Sequence, residues 1–203
     1  MLMFRSTLLI AFVIFLAACG SEEVEPMSYY GNTLNDFEAV NQHNETFTSD
    51  DMDEKVWLAN LIFTECVTVC PPMTQNMTEL TQELAEENLE DVGIISFSVD
   101  PDTDTPEVLS EYMNWYNPAD NIEWQLVTGY EFEYLRDYAL NNFKSIVKLP
   151  QDGSNQVLHG TAIYLIDETG TLIKDYTGVD AGDNTFETEE IVKDVKTLTS
   201  NMD

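Results

Sequence analysis

Positive charge is what this chain has least of. Lys and Arg total 8 against 38 Asp and Glu, for a net charge of −30. A surface so poor in cations cannot neutralise phosphates, which argues against nucleic acids and anionic lipid surfaces as ligands. The acidic residues are spread along the chain and mark no site. A salty or alkaline exterior accounts for them, and steering of a basic partner or a metal cation is the alternative. Long apolar runs are missing too: the longest, residues 8–18, falls short of the roughly 20 residues of a spanning helix. There is no internal repeat. With only 2 histidines and 3 cysteines, the metal-ligating and redox-active side chains can be taken one at a time.

The run at 8–18 follows Met1-Leu-Met-Phe-Arg5 and ends in Leu16-Ala-Ala-Cys19-Gly20. One positive charge, a short apolar stretch and small residues before a cysteine resemble a bacterial lipoprotein signal. On that reading residues 1–18 are the signal peptide and Cys19 carries the lipid. A plain signal peptide with an incidental cysteine, or an uncleaved anchor, is the blander reading. Acyl chains on Cys19 would hold the protein at the extracytoplasmic face of the cell membrane. Residues 19–33, polar, acidic and without periodicity, read as a flexible tether. Residues 34–203 then have the length of one domain.

With Cys19 lipidated, the domain retains Cys66 and Cys70, in Phe63-Thr-Glu-Cys66-Val-Thr-Val-Cys70-Pro-Pro-Met-Thr74. The pair stands between a strand-like apolar run (56–63) and a helical pattern. Helix-terminal N–H groups and the helix dipole favour thiolates at such a turn. Two cysteines there can hold a soft metal, cycle as a dithiol or form a structural bridge. A bridge would close a very small loop and add little stability. Pro71 and Pro72 fix the start of the helix. Met73 and Met77, spaced with Leu80 and Leu84, read as core rather than as thioether ligands.

Around this turn the periodicity predicts a hairpin over residues 35–48, then buried strands at 56–63 and 93–99. Thr105-Pro106 starts a helix with an N-cap and a first-turn proline. A third strand at 123–128 and another helix follow, then a hairpin over 161–176 and a final helix at about 185–198. Helices between buried strands imply parallel pairing and a layered α/β domain. The order is that of a thioredoxin-like fold with an N-terminal β-hairpin and an inserted β/α segment.

His43, in an Asn-rich turn, reads as exposed and inert. His159, in Val157-Leu-His-Gly-Thr161, stands just before an apolar strand that a thioredoxin-like plan sets beside the cysteine strand. The loop carrying it can therefore face Cys66 and Cys70. Two thiolates and one imidazole are too few for a closed zinc site but suit copper, as Cu(I) between sulfurs or as Cu(II) with nitrogen added.

These segments, together with Phe97-Ser-Val-Asp100-Pro-Asp-Thr-Asp104-Thr-Pro and Tyr164-Leu-Ile-Asp-Glu-Thr-Gly170, resemble the SCO/SenC proteins over about residues 34–200. These are membrane-tethered, thioredoxin-like copper chaperones of cytochrome c oxidase assembly, and the lipoprotein members of the Bacillus type are the most similar. The resemblance implies that Cys66 and Cys70 supply thiolates to copper, Cu(I) or Cu(II), and His159 the imidazole. Asp100 matches the family's Asp-Pro acid near the metal loop, a supporting or alternative oxygen ligand; capping the next turn is its other reading. The implied partner is the CuA-bearing subunit of cytochrome c oxidase, served by a monomeric metallochaperone that is not an enzyme in the turnover sense. The alternative is an extracytoplasmic thiol–disulfide oxidoreductase or redox sensor that keeps the oxidase's copper-ligand cysteines reduced, with Cys66 attacking and Cys70 resolving.

Overall fold

The protein was analysed as a computed structural model that describes residues 24, 26–27, 30–150 and 153–202. Cys19, the signal sequence and most of the expected tether lie outside the described residues. The elements follow the order expected from periodicity. They are β1 (Glu38–Asn41), β2 (Thr46–Thr48), β3 (Val56–Ile62), α1 (Cys70–Glu86), β4 (Val92–Ser98), α2 (Pro106–Met113), β5 (Glu123–Thr128), α3 (Phe132–Phe143), β6 (Ala162–Ile166), β7 (Leu172–Thr177) and α4 (Thr188–Thr199).

All seven strands join one sheet in the order β2-β1-β5-β4-β3-β6-β7. The pairs β3–β4 and β4–β5 are parallel, while β6 runs antiparallel to β3. Every residue of β3 and β4 is buried, which is why both read as unbroken apolar runs rather than alternating ones. The fold is thioredoxin-like α/β, in a single domain.

α1 is well specified at both ends. Pro71 and Pro72 stand in its first turn, where their missing N–H groups cost nothing. At its end Asn88 adopts φ 59°, and the N–H groups of Asn88 and Leu89 donate to the carbonyls of Ala85 and Leu84 at 3.0 Å each, closing a Schellman turn. Met73, Met77, Leu80 and Leu84 are fully buried, as their spacing requires. α2 begins as expected: Thr105 Oγ1 accepts the Val108 N–H at 3.4 Å, and Pro106 follows it.

One boundary differs from the sequence reading. Part of the stretch expected to be a free tether belongs to the folded domain. The Met27 N–H donates to the Ile173 carbonyl (2.9 Å), the Gly31 N–H to the Leu172 carbonyl (2.8 Å), and Thr33 bridges Thr171. The physical reason is that β7 ends the sheet and offers an unpaired row of backbone groups, which this segment covers. Polar composition gave no hint of it, because the contacts are made by backbone. Among the described residues no helix is long and apolar enough to cross a membrane.

Candidate metal centre

The site forms where β3 ends. Parallel strands β3 and β4 deliver their chain to one edge of the sheet, and the loop after β3 carries both cysteines. β6 arrives from the opposite direction in the register Ala59↔Tyr164. Continuing that register places the residues just before β6 beside the residues just after β3. His159 therefore reaches the cysteines from across the sheet edge, as the thioredoxin-like plan implied.

The geometry follows. One donor atom each from Cys66, Cys70 and His159 lies within 4.8 Å of the other two. His159 Nε2 stands 3.5 Å from Cys70 Sγ. Its Nδ1 lies 2.8 Å from the Gly160 carbonyl, which can only accept, so Nδ1 donates there and Nε2 is the ring nitrogen turned to the sulfurs, as donor to a thiolate or, once unprotonated, as a metal ligand. Phe63 packs edge-on against the imidazole, ring centroids 5.7 Å apart, and holds its plane. His43 is exposed in its turn, as expected.

The two cysteines do not share a helical turn. Cys66 lies in the bend before α1, its N–H donating to the Phe63 carbonyl (3.3 Å), and Cys70 is the first helical residue. The Cys70 N–H donates to Cys66 Sγ at 3.3 Å. With Pro71 and Pro72 lacking N–H groups and the Met73 N–H bound to the Val69 carbonyl, the sulfur takes the remaining orphan donor of the helix start. Cys66 thus caps α1 with its sulfur.

That arrangement splits the thiols. Burial works to raise Cys66, but hydrogen bonds from His159, from Cys70 and from the Thr68 and Cys70 backbone outweigh it and bring the thiol down to about 6. Cys70 moves the other way: burial, then the adjoining Cys66 sulfur, push it well above its ordinary value. Both are free thiols.

Asp100 takes a backbone role. Its N–H donates to Ser98 Oγ (3.1 Å) and its carbonyl accepts from Thr103 and Asp104, so it shapes the turn after β4. Its carboxylate is not part of the three-residue cluster. The acid wired to the cysteine loop is Asp104, fully buried, which sequence reasoning did not single out. It accepts from Thr64 Oγ1 (2.5 Å), the Thr64 N–H (3.2 Å) and Ser98 Oγ (2.5 Å). Burial raises its carboxyl against the pull of those donors. It fixes the limb of the loop that leads into Cys66. The available signal was its place directly before the Thr105 cap, at the inner end of the turn.

Comparisons with known proteins place the chain in a family. The SCO1/SenC family model matches residues 26–200. The SCO1 protein homolog of Bacillus subtilis is 40% identical over 188 residues, 92% of each chain. A SCO1/SenC family lipoprotein from Bacillus anthracis superposes at TM-score 0.73 with 42% identity, covering 82% of this chain and 94% of that one. The structure of BsSco, a member of the Sco family of cytochrome c oxidase assembly proteins in which a disulfide switch was identified, superposes at 0.73 with 38% identity, covering 84% and 95%. More distant structures of the same fold hold copper. A chain matched over residues 26–200 and at such identity is a member of the SCO1/SenC family.

Proposed function

We propose that this protein is a copper metallochaperone, holding copper as cargo through Cys66, Cys70 and His159 and delivering it to the CuA centre during cytochrome c oxidase assembly. A lipid on Cys19, after removal of residues 1–18, tethers it to the extracytoplasmic face of the membrane. The observation that carries the reading is the convergence of two sulfurs and one imidazole nitrogen within 4.8 Å. Metal–sulfur bonds of about 2.3 Å put opposed ligands about 4.6 Å apart, so a soft ion needs little rearrangement to enter. Sulfur selects Cu(I), and an unprotonated Nε2 suits Cu(II) as well. Three donors leave a position open for an acceptor's ligand, as cargo requires. Membership of the SCO1/SenC family supports the same reading.

Cu(II) titration of the reduced protein tests it. One equivalent binds with a sulfur-to-copper charge-transfer band, and His159→Ala weakens Cu(II) at least tenfold while Cys66 and Cys70 remain oxidisable to a disulfide. Undiminished Cu(II) binding by the variant would count against His159 as a ligand.

A second reading, thiol–disulfide exchange with the oxidase's copper-ligand cysteines, is favoured by the split acidity of the thiols: a low Cys66 attacks and a high Cys70 resolves. A Cys70→Ala variant then traps a mixed disulfide with its target through Cys66. Failure to trap one under conditions where the parent delivers copper rejects that reading.

A further inference from the structure

Cys66 is 6% exposed and Cys70 is fully buried, so copper between them is reached only past the loops that cover them. Those loops are latched together. The Val67 N–H donates to Gln156 Oε1 (3.4 Å), Gln156 Nε2 to the Glu65 carbonyl (3.0 Å) and Asn155 Nδ2 to Glu65 Oε2 (2.7 Å). The His159 loop is joined in turn to the segment after α3 by reciprocal backbone hydrogen bonds between Lys148 and Leu158, 2.9 Å each. Opposed residues of an antiparallel pair share a face, so Leu158, Lys148 and, two residues back, Ile146 point the same way.

What this rim presents is unusual for this molecule. Val67 is 76% exposed, Leu158 62%, Ile146 56% and Leu149 53%. A single exposed aliphatic residue needs no explanation. Here four stand on the two loops that carry the candidate ligands and on the segment latched to them, beside the Cys66, Cys70 and His159 cluster. The charge is as uneven. Lys55, Arg136, Lys174 and Lys196 each pair with a carboxylate, and Lys193 is engaged. Among the described residues, Lys144 and Lys148 are the basic side chains without a carboxylate partner, and Lys144 Nζ donates to the Asn141 carbonyl (2.7 Å). Both belong to this segment, in a chain of net charge −30.

The geometry points to the rim formed by Val67, Ile146, Lys148, Leu149 and Leu158 as the docking surface for the copper acceptor, a protein whose own metal site is bordered by apolar side chains and carboxylates. The inference rests on the metallochaperone reading. Hand-over is ligand exchange: each bond from Cys66, Cys70 or His159 is replaced by one from the acceptor, the copper keeps its oxidation state, and the protons that the acceptor's thiols release on binding pass to the freed donor groups or to solvent. The acceptor's ligands must therefore come within bonding distance while the donor's still hold the ion, and this rim is the ground they cross. Apolar contact there resists salt. The two lysines attract carboxylates at this spot alone, and the acidic remainder repels the acceptor in other orientations.

The test is copper transfer from the Cu(I)-loaded full chain in detergent to the copper-free, reduced soluble CuA domain of the same organism's oxidase, with copper on each protein followed by mass spectrometry. Ile146→Glu/Leu149→Glu and Lys148→Glu keep the parent's copper affinity and transfer at least tenfold more slowly. Trp115→Glu is the control. Trp115 is 80% exposed just past the end of α2, a helix length away from the Asp104 turn, and its variant transfers at the parent's rate. Parent-like transfer by the rim variants, or equal slowing by Trp115→Glu, overturns the docking surface and leaves the metallochaperone reading standing. A parent that binds copper but passes none to the domain overturns both.

Discussion

Cys66 and Cys70 are four residues apart in one loop, yet their chemistry diverges because α1 starts between them. Cys66 gains the helix-start N–H and the imidazole, whereas Cys70 gains burial and a neighbouring sulfur. Alkylation should therefore be lopsided. The thiolate is the nucleophile, so iodoacetamide labelling of Cys66 in the copper-free protein falls about tenfold per pH unit below a midpoint near pH 6 and is flat above it. Cys70 stays unlabelled past the pH where an ordinary thiol reacts. Peptide mass spectrometry across pH 4–9 checks both; equal midpoints near 8.5 would refute the split. The two thiols and His159 were legible in the sequence because their residue types are rare in this chain. That Cys66 is the more acidic thiol was expected from its place before the helix, but its cause, a sulfur that meets the Cys70 N–H and an imidazole from a distant loop, was not legible. Nor was the choice among the acids of Asp100-Pro-Asp-Thr-Asp104, identical in chemistry and separated only by which one turns inward. Asp104 turns inward, where Thr64 and Ser98 hold it.

Each strand and helix announced itself by periodicity, the start of α1 by its prolines and the start of α2 by a capping threonine and proline. Partners were less legible. Nothing in the period of β1 says that it pairs with β5, far along the chain, or that Met27, Gly31 and Thr33 meet the β7 edge. Backbone hydrogen bonding leaves no side-chain pattern to read. Close packing between strands was hidden for the same reason. Gly93 on β4 faces Trp57 on β3, and a Cβ at Gly93 would lie 2.5 Å from Cζ3 of the buried indole. The indole cannot swing away freely, because its Nε1–H donates to the Met52 carbonyl at 2.8 Å. Gly93→Ala is therefore overpacked and loses about 1–3 kcal/mol of stability, readable as a lower urea midpoint with unchanged slope. An unaffected midpoint would mean that β3 and β4 pack more loosely than described.

At the scale of the whole molecule, a net charge of −30 works against compactness, since few cations are present to offset it. Raising salt from 10 mM to 1 M shortens the screening length from about 30 Å to about 3 Å. Thermal unfolding of the copper-free protein should then rise by a few degrees, about 1 kcal/mol for a chain of this length, and a constant or falling midpoint would contradict the account. The same acidity gives the rim around the cysteines its contrast, with apolar side chains and two lysines without a carboxylate partner gathered beside the proposed copper site. Every step of the account depends on the copper lying between Cys66, Cys70 and His159. X-ray absorption at the copper edge, recorded on the copper-loaded parent and on His159→Ala, reads that coordination directly. The account predicts two sulfur neighbours and one imidazole nitrogen in the parent's Cu(II) form, with the sulfurs kept and the imidazole lost in the variant. A spectrum without sulfur, or one unchanged by the substitution, would contradict it.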